Sequence, residues 1–206
     1  MVLEPRLKIP YPKESVVTYL FGSPDGALDN KKPLFIDADN DSLYYTFADY
    51  RLWSQRFAAG LRRAGLKQGD RVLLYSGNNI YFPAVLMGTV AAGGVFTGAN
   101  PTYVAREVAY QLENSGATIF LANRASFETA ADAARQAGIP KERMFVFDAE
   151  TSGHGIDGVK HWSTLLESVD IGKRFRWEDC KGDGENERII ALNYSSGTTG
   201  KPKGVS

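Results

Sequence analysis

The sequence predicts an α/β fold: a doubly wound, mostly parallel sheet with helices on both faces, preceded by an N-terminal β-hairpin. Three observations carry that reading. Between residues 71 and 147, short apolar runs alternate with longer helical patterns, and strands joined by helical crossovers pair in parallel and are covered on both sides. Gly116 and Gly138 stand just past the ends of two of those helical patterns, and Gly65 just past an earlier one, where a residue in the left-handed region closes a helix. Ahead of them, an Asp/Asn-rich stretch separates two strand-like runs, which is the pattern of a hairpin.

Taken in order, residues 1–32 carry scattered prolines and glycines and are expected to wrap the surface with one short helix over 15–21. The runs 33–37 and 42–46 form the hairpin. Thr46 then caps a helix, with Asp49 three residues on as its capping-box partner. Tyr50, Trp53, Phe57 and Leu61 recur at helical spacing and should face the core. The α/β core continues as strand 71–75, a helix rich in small residues over 79–93, strand 95–98 and a helix over 102–114. Strand 118–122, a helix over 126–137 and strand 143–147 complete the regular part. After a looser section come a short helix over 163–169 and a final buried strand over 188–194. Sheets of this kind bind ligands at the carboxyl ends of their strands.

What that last strand delivers is Ser195-Ser196-Gly197-Thr198-Thr199-Gly200-Lys201-Pro202-Lys203-Gly204. Glycines let backbone N–H groups converge on an anion, hydroxyls add donors, and lysine ammonium groups offset the charge. The stretch is not a Walker A loop, which has Gly where Ser195 stands and Ser or Thr where Pro202 stands. Pro202 disfavours helical angles at Lys201, so the chain should leave the loop extended rather than open into a helix. The competing reading is a flexible Gly/Ser/Thr-rich surface segment.

The order of these residues resembles the phosphate-loop signature of the adenylate-forming enzymes, which include acyl- and aryl-CoA synthetases, luciferases and peptide-synthetase adenylation domains. A second stretch, Gly88-Thr89-Val90-Ala91-Ala92-Gly93-Gly94-Val95-Phe96-Thr97-Gly98-Ala99-Asn100-Pro101, resembles the segment those enzymes carry about a hundred residues upstream, with an Asn-Pro similar to the 4-coumarate–CoA ligase branch. The resemblance implies an incomplete large domain of the adenylate-forming fold, with residues 1–32 as a surface-wrapping segment and 33–206 as an α/β core ending in the phosphate loop. It implies ATP, Mg²⁺ and coenzyme A as cofactors and a small carboxylic acid, aryl or medium-chain, as substrate. Ser195, Ser196, Gly197, Thr198, Thr199, Gly200 and Lys203 match the family positions that line ATP. Thr198 and Thr199 would then bond phosphate oxygens, and Lys203 would shadow the β- and γ-phosphates. The family's magnesium-binding Glu, nucleoside contacts, most of its acyl pocket and its C-terminal lysine map onto no residue here. The chain is therefore expected to be the N-terminal part of a ligase and inactive alone, the alternative being a non-catalytic interaction module derived from one.

Composition excludes other classes. Hydrophobic residues make up 43% and formal net charge is zero, which fits a soluble globular protein and gives no electrostatic case for nucleic acid. The single Cys180 excludes an internal disulfide framework and fits a reducing compartment, the cytoplasm or peroxisome. The charged, proline-containing N-terminus is not a secretory signal. Pro83 and several glycines and asparagines interrupt the uncharged stretch 72–105, so no membrane span is expected. Gly153-His154-Gly155-Ile156-Asp157-Gly158 matches a dinucleotide fingerprint but is not set tightly between a strand and a helix, and reads as a loop. The run 181–187 reads as a solvated linker. His154 and His161 lack carboxylate or Cys neighbours at ligand spacing, so no metal site is expected. A loop with no strand after it and sheet neighbours left uncovered predict a mobile loop and a homo-oligomer, dimeric or larger.

Overall fold

The structure is a computed structural model that describes residues 12–23, 26–28, 31–179, 188–195 and 203–205. Ser15 starts α1 (Val16–Phe21) by accepting from the Thr18 N–H at 3.1 Å. Next, β1 (Pro33–Ile36) pairs antiparallel with β2 (Tyr44–Thr46) as the hairpin. Thr46 opens α2 (Phe47–Arg63) through a complete capping box: its hydroxyl accepts from the Asp49 N–H at 3.2 Å, while Asp49 Oδ2 accepts from the Thr46 N–H at 3.0 Å. Tyr50, Phe57 and Leu61 of α2 are buried, and Trp53 is half-buried against the Tyr81 ring.

The chain then runs β3 (Arg71–Tyr75), α3 (Phe82–Ala91), β4 (Val95–Ala99), α4 (Ala105–Ser115), β5 (Ala117–Asn123), α5 (Phe127–Gln136), β6 (Met144–Phe147), β7 (Lys160–His161) and α6 (Val169–Arg174). Five of these strands form one wholly parallel sheet in the spatial order β4-β3-β5-β6-β7. Side chains alternate across it. Val72, Leu74, Ile119, Leu121, Phe145 and Phe147 meet Phe57 and Leu61 of α2 and Val85 of α3 on one face. Leu73, Tyr75, Phe120, Ala122, Met144 and Val146 meet Val108 and Leu112 of α4 and Phe127 and Ala130 of α5 on the other. Helices thus cover both faces, as the alternating pattern predicts.

Several boundaries differ from the sequence reading, each for a local reason. The helix expected over 79–93 starts at Phe82, because Asn79 Oδ1 accepts from the Tyr81 N–H at 2.8 Å and holds a turn first. The helix expected over 102–114 starts at Ala105, after Asn100 Oδ1 takes the Thr102 N–H at 3.0 Å. The single helix expected over 163–169 is two elements. A 3₁₀ turn, Trp162–Leu165, is capped by His161 and ends where Leu166 is extended, and the Ser168 side chain then starts α6. The two-residue β7 was not anticipated, being too short to show a period.

The 3₁₀ turn packs on α2 at Gly60, where a Cβ would overlap the Leu165 carbonyl. Gly88 plays the same part between α3 and α2, since a Cβ there would lie 2.8 Å from the Ser54 carbonyl oxygen. Gly60→Ala should therefore destabilise the chain by about 1–3 kcal/mol through overpacking against backbone that cannot yield. Urea unfolding of the two proteins measures this, and a loss under about 0.5 kcal/mol would show that the turn moves freely.

Candidate functional site

The edge of β4 that β3 leaves free is occupied by residues 190–192. Phe96 N donates to the Ile190 carbonyl at 2.9 Å and Leu192 N donates to the Phe96 carbonyl at 2.9 Å, a parallel bridge centred on Ala191. The buried strand expected over 188–194 is thus corrected. It reduces to this bridge followed by β8 (Asn193–Ser195), and Ile189 and Ile190 are exposed because only β4 packs beside them among the described residues.

Immediately afterwards β8 pairs antiparallel with β9 (Lys203–Val205), with Asn193 opposite Val205, Tyr194 opposite Gly204 and Ser195 opposite Lys203. The strand β9 corrects the expectation that nothing follows the loop, and the extended exit agrees with the effect read into Pro202. Cross-strand partners project to the same face, so the Ser195 hydroxyl and the Lys203 ammonium group share one exposed side of the hairpin mouth. Ser196, Gly197, Thr198, Thr199 and Gly200 lie outside the described residues, as do Cys180 and the run 181–187. Of the residues assigned to phosphate, the structure therefore brings together Ser195 and Lys203.

Three side chains tie this hairpin to the sheet, and none was singled out for a role in the sequence reading. Thr97 Oγ1 donates to the Leu192 carbonyl at 2.9 Å, Gln111 Nε2 donates to Thr97 Oγ1 at 2.9 Å, and Tyr194 Oη donates to Asn114 Oδ1 at 2.7 Å. Burial raises the Tyr194 phenol above its ordinary pKa, with the Tyr110 ring alongside adding to the effect. The signal available was a glutamine at helical spacing with Val108 and Leu112.

Open clefts lie elsewhere among the described residues. One of about 480 Å³ is bounded by Phe127, Ala134, Ile139, Met144 and Val159, and another of about 440 Å³ by Arg71, Val95, Ile189 and Leu192; neither is lined by Ser195 or Lys203. The run 153–158 is a loop, closing on a tight turn at Asp157 and Gly158 with positive φ. His161 does have a carboxylate partner: its Nε2 lies 2.9 Å from Asp148 Oδ1, because parallel pairing sets it beside the end of β6. Its Nδ1 accepts from the Ser163 N–H at 3.3 Å, so Nε2 carries the proton that Asp148 receives. Among the described residues no group of three or more His, Cys, Asp or Glu is placed to hold a metal ion.

A family model described as AMP-binding enzyme matches residues 27–206. Phenylacetyl-CoA ligase epaB of Aspergillus niger is 34% identical over 198 residues, which are 96% of this chain and 36% of that protein. The 4-coumarate–CoA ligase 3 of Oryza sativa subsp. japonica is 30% identical over 208 residues, covering 93% of this chain and 35% of its own length. The chain thus spans about a third of the length of the curated relatives it matches. The luciferase-like enzyme from the nonluminescent Zophobas morio mealworm superposes with a TM-score of 0.74 at 22% identity, over 92% of this chain and 41% of that one. A benzoate CoA ligase from Burkholderia xenovorans LB400 does so with a TM-score of 0.62 at 21% identity, over 91% and 33%. At these identities the superpositions speak for a shared fold.

The cluster at Asp148 generates a pH prediction. Burial alone would raise this carboxyl, but hydrogen bonds from Arg124, His161 and the Glu150 N–H outweigh it and hold the pKa below its ordinary value. A depressed folded pKa stabilises above the unfolded value of about 3.9 and loses that contribution as pH falls through the folded pKa. Asp148→Asn should therefore be less stable than the parent at neutral pH, with the gap narrowing as pH drops below about 4. Thermal unfolding across that range measures it, and a gap that stays constant down to low pH would refute it.

Proposed function

The chain belongs to the AMP-binding enzyme family, and from that premise we propose that residues 1–206 are the N-terminal portion of the large domain of an ATP-dependent carboxylic acid–CoA ligase. In the proposed reaction a carboxylate oxygen attacks the α-phosphorus of ATP. The bond to the bridging oxygen breaks and pyrophosphate leaves; the thiol sulfur of coenzyme A then attacks the acyl carbon of the adenylate, and AMP leaves as the thiol proton is lost. The nucleophile is already an anion, so the first half asks for charge neutralisation and in-line positioning rather than a general base.

The observation that supports this is the hairpin mouth, where Ser195 faces Lys203 across paired strands. Its donors fit a triphosphate: hydroxyls, glycine amides and an ammonium group, with no carboxylate on either strand. In this reading Ser195, Ser196, Thr198 and Thr199 donate to phosphate oxygens, Gly197 and Gly200 let backbone amides approach, and Lys203 balances the pyrophosphate as it gains charge. Neither β8 nor β9 carries a carboxylate that could hold Mg²⁺ beside the phosphates. Mg²⁺, coenzyme A and the acid are assigned to parts of the parent beyond these residues.

The names of the relatives, phenylacetyl- and 4-coumarate–CoA ligases, lean toward an aryl acid, with a medium-chain acid as the other member of the class. A reducing compartment, cytoplasm or peroxisome, goes with the lone Cys180. No helix among the described residues is long and apolar enough to cross a membrane. Self-association through the exposed Ile189, Ile190 and Val205 belongs to the same reading, and sedimentation as a monomer at high concentration would remove it.

The test uses the 206-residue chain. Millimolar ATP should raise its melting temperature slightly, as expected for a weak site filled to about its Kd. Lys203→Ala should abolish the shift, and carboxylate-dependent exchange of pyrophosphate into ATP should be absent. A chain whose melting temperature ignores ATP would be better read as a non-catalytic module. Robust exchange by residues 1–206 would overturn the assignment of the remaining machinery elsewhere.

A further inference from the structure

Gln111 is a poor choice for a core position. It is 1% exposed on α4, and its side-chain oxygen Oε1 is buried without a hydrogen-bond partner among the described residues. A methionine would fill comparable space with no such orphan. What the glutamine adds is its amide nitrogen, which donates to Thr97 Oγ1 at 2.9 Å and to the Gly98 carbonyl at 3.0 Å. Thr97 is fully buried on β4, and with its oxygen occupied as an acceptor its own proton is directed to the Leu192 carbonyl at 2.9 Å.

That last bond falls at an informative place. Ala191 bridges Phe96, so in a continued parallel ladder the Leu192 carbonyl would next accept from the Gly98 N–H. The Thr97 hydroxyl takes that place instead. Pairing with β4 stops there, and the next residue begins β8, whose partner is β9. The Tyr194–Asn114 bond, one helical turn beyond Gln111 on α4, holds the departing strand on the same support.

We propose that Thr97, oriented by Gln111, is a positioning residue that ends the pairing of residues 190–192 with β4 and so fixes where and in which direction the phosphate loop leaves the sheet. The consequence for nucleotide rests on the triphosphate reading of that loop; the effect on the strand does not. Neither side chain touches the ligand: the hydroxyl acts through the backbone three residues ahead of Ser195.

The test compares the 206-residue chain with Thr97→Val, Thr97→Ser and Gln111→Met. Amide hydrogen exchange is read at Leu192, at Phe96 and, as a control in the sheet centre, at Leu73; affinity is read with a fluorescent ATP analogue. Thr97→Val should speed exchange at Leu192 by up to about tenfold and weaken the analogue by about fivefold, the scale of one lost hydrogen bond. Leu73 should stay protected, and Thr97→Ser should restore both values. Gln111→Met should weaken the analogue without lowering the melting temperature, which a purely structural glutamine would not do. Unchanged exchange at Leu192 overturns the proposal, as does faster exchange with unchanged affinity, or loss of protection at Leu73 together with Leu192. If the parent chain itself fails to bind the analogue, the nucleotide reading falls while exchange at Leu192 and its rescue by serine still decide the role of Thr97.

Discussion

Everything in this chain hangs on three central strands that are apolar on both faces. Because β3, β5 and β6 send alternate side chains to opposite sides, neither face can be left to water, and the crossovers from β3 to β4, β4 to β5 and β5 to β6 each lay a helix over one of them. With β4 placed on one side of β3 and β5, β6 and β7 on the other, the pairs α2–α3 and α4–α5 fall on opposite faces. The same demand accounts for the small residues at the contacts, since Gly88 and Gly60 stand where backbones approach too closely for a methyl group. It also accounts for what the edge strand β4 must do: its outer side is open, and the chain returns after nearly a hundred residues to occupy it at Ala191.

Much of this was legible in the sequence, because the relevant signals are local. The strand at Arg71–Tyr75 shows as an apolar run from Val72 onward. The Thr46–Asp49 box announces α2, and Gly116 and Gly138 mark the ends of α4 and α5 at positive φ. What was misread depends on groups whose partners are remote or on competition between adjacent signals. Asn79 and Asn100 delay their helices by taking backbone N–H groups two residues on, an option that periodicity alone does not weigh. The region 160–174 divides because His161 and Ser168 each cap a separate element. The two residues of β7 are a strand only because β6 is beside them.

The candidate site was legible in a different way. Its residue types are the ground for the phosphate proposal, and the hairpin agrees with the extended exit read from Pro202, but the supports were hidden. Thr97 lay inside a stretch noted for its resemblance, with nothing in its own neighbourhood to say that its hydroxyl meets a carbonyl ninety-five positions later. Gln111 lay within the helix read over 102–114, with only its spacing from Val108 and Leu112 to mark it. Long-range bonds of this kind have no period, and only the crossover that stacks α4 on β4 brings them together.

Pairing Ser195 with Lys203 has a thermodynamic corollary for the seven residues between them. Opposed residues in an antiparallel ladder have Cα atoms about 5 Å apart, so the ring is already closed before any anion arrives. The entropy of gathering two distant chain ends, which grows with the logarithm of the enclosed length, is met by the ladder during folding. An anion held between these strands would not have to meet that cost again.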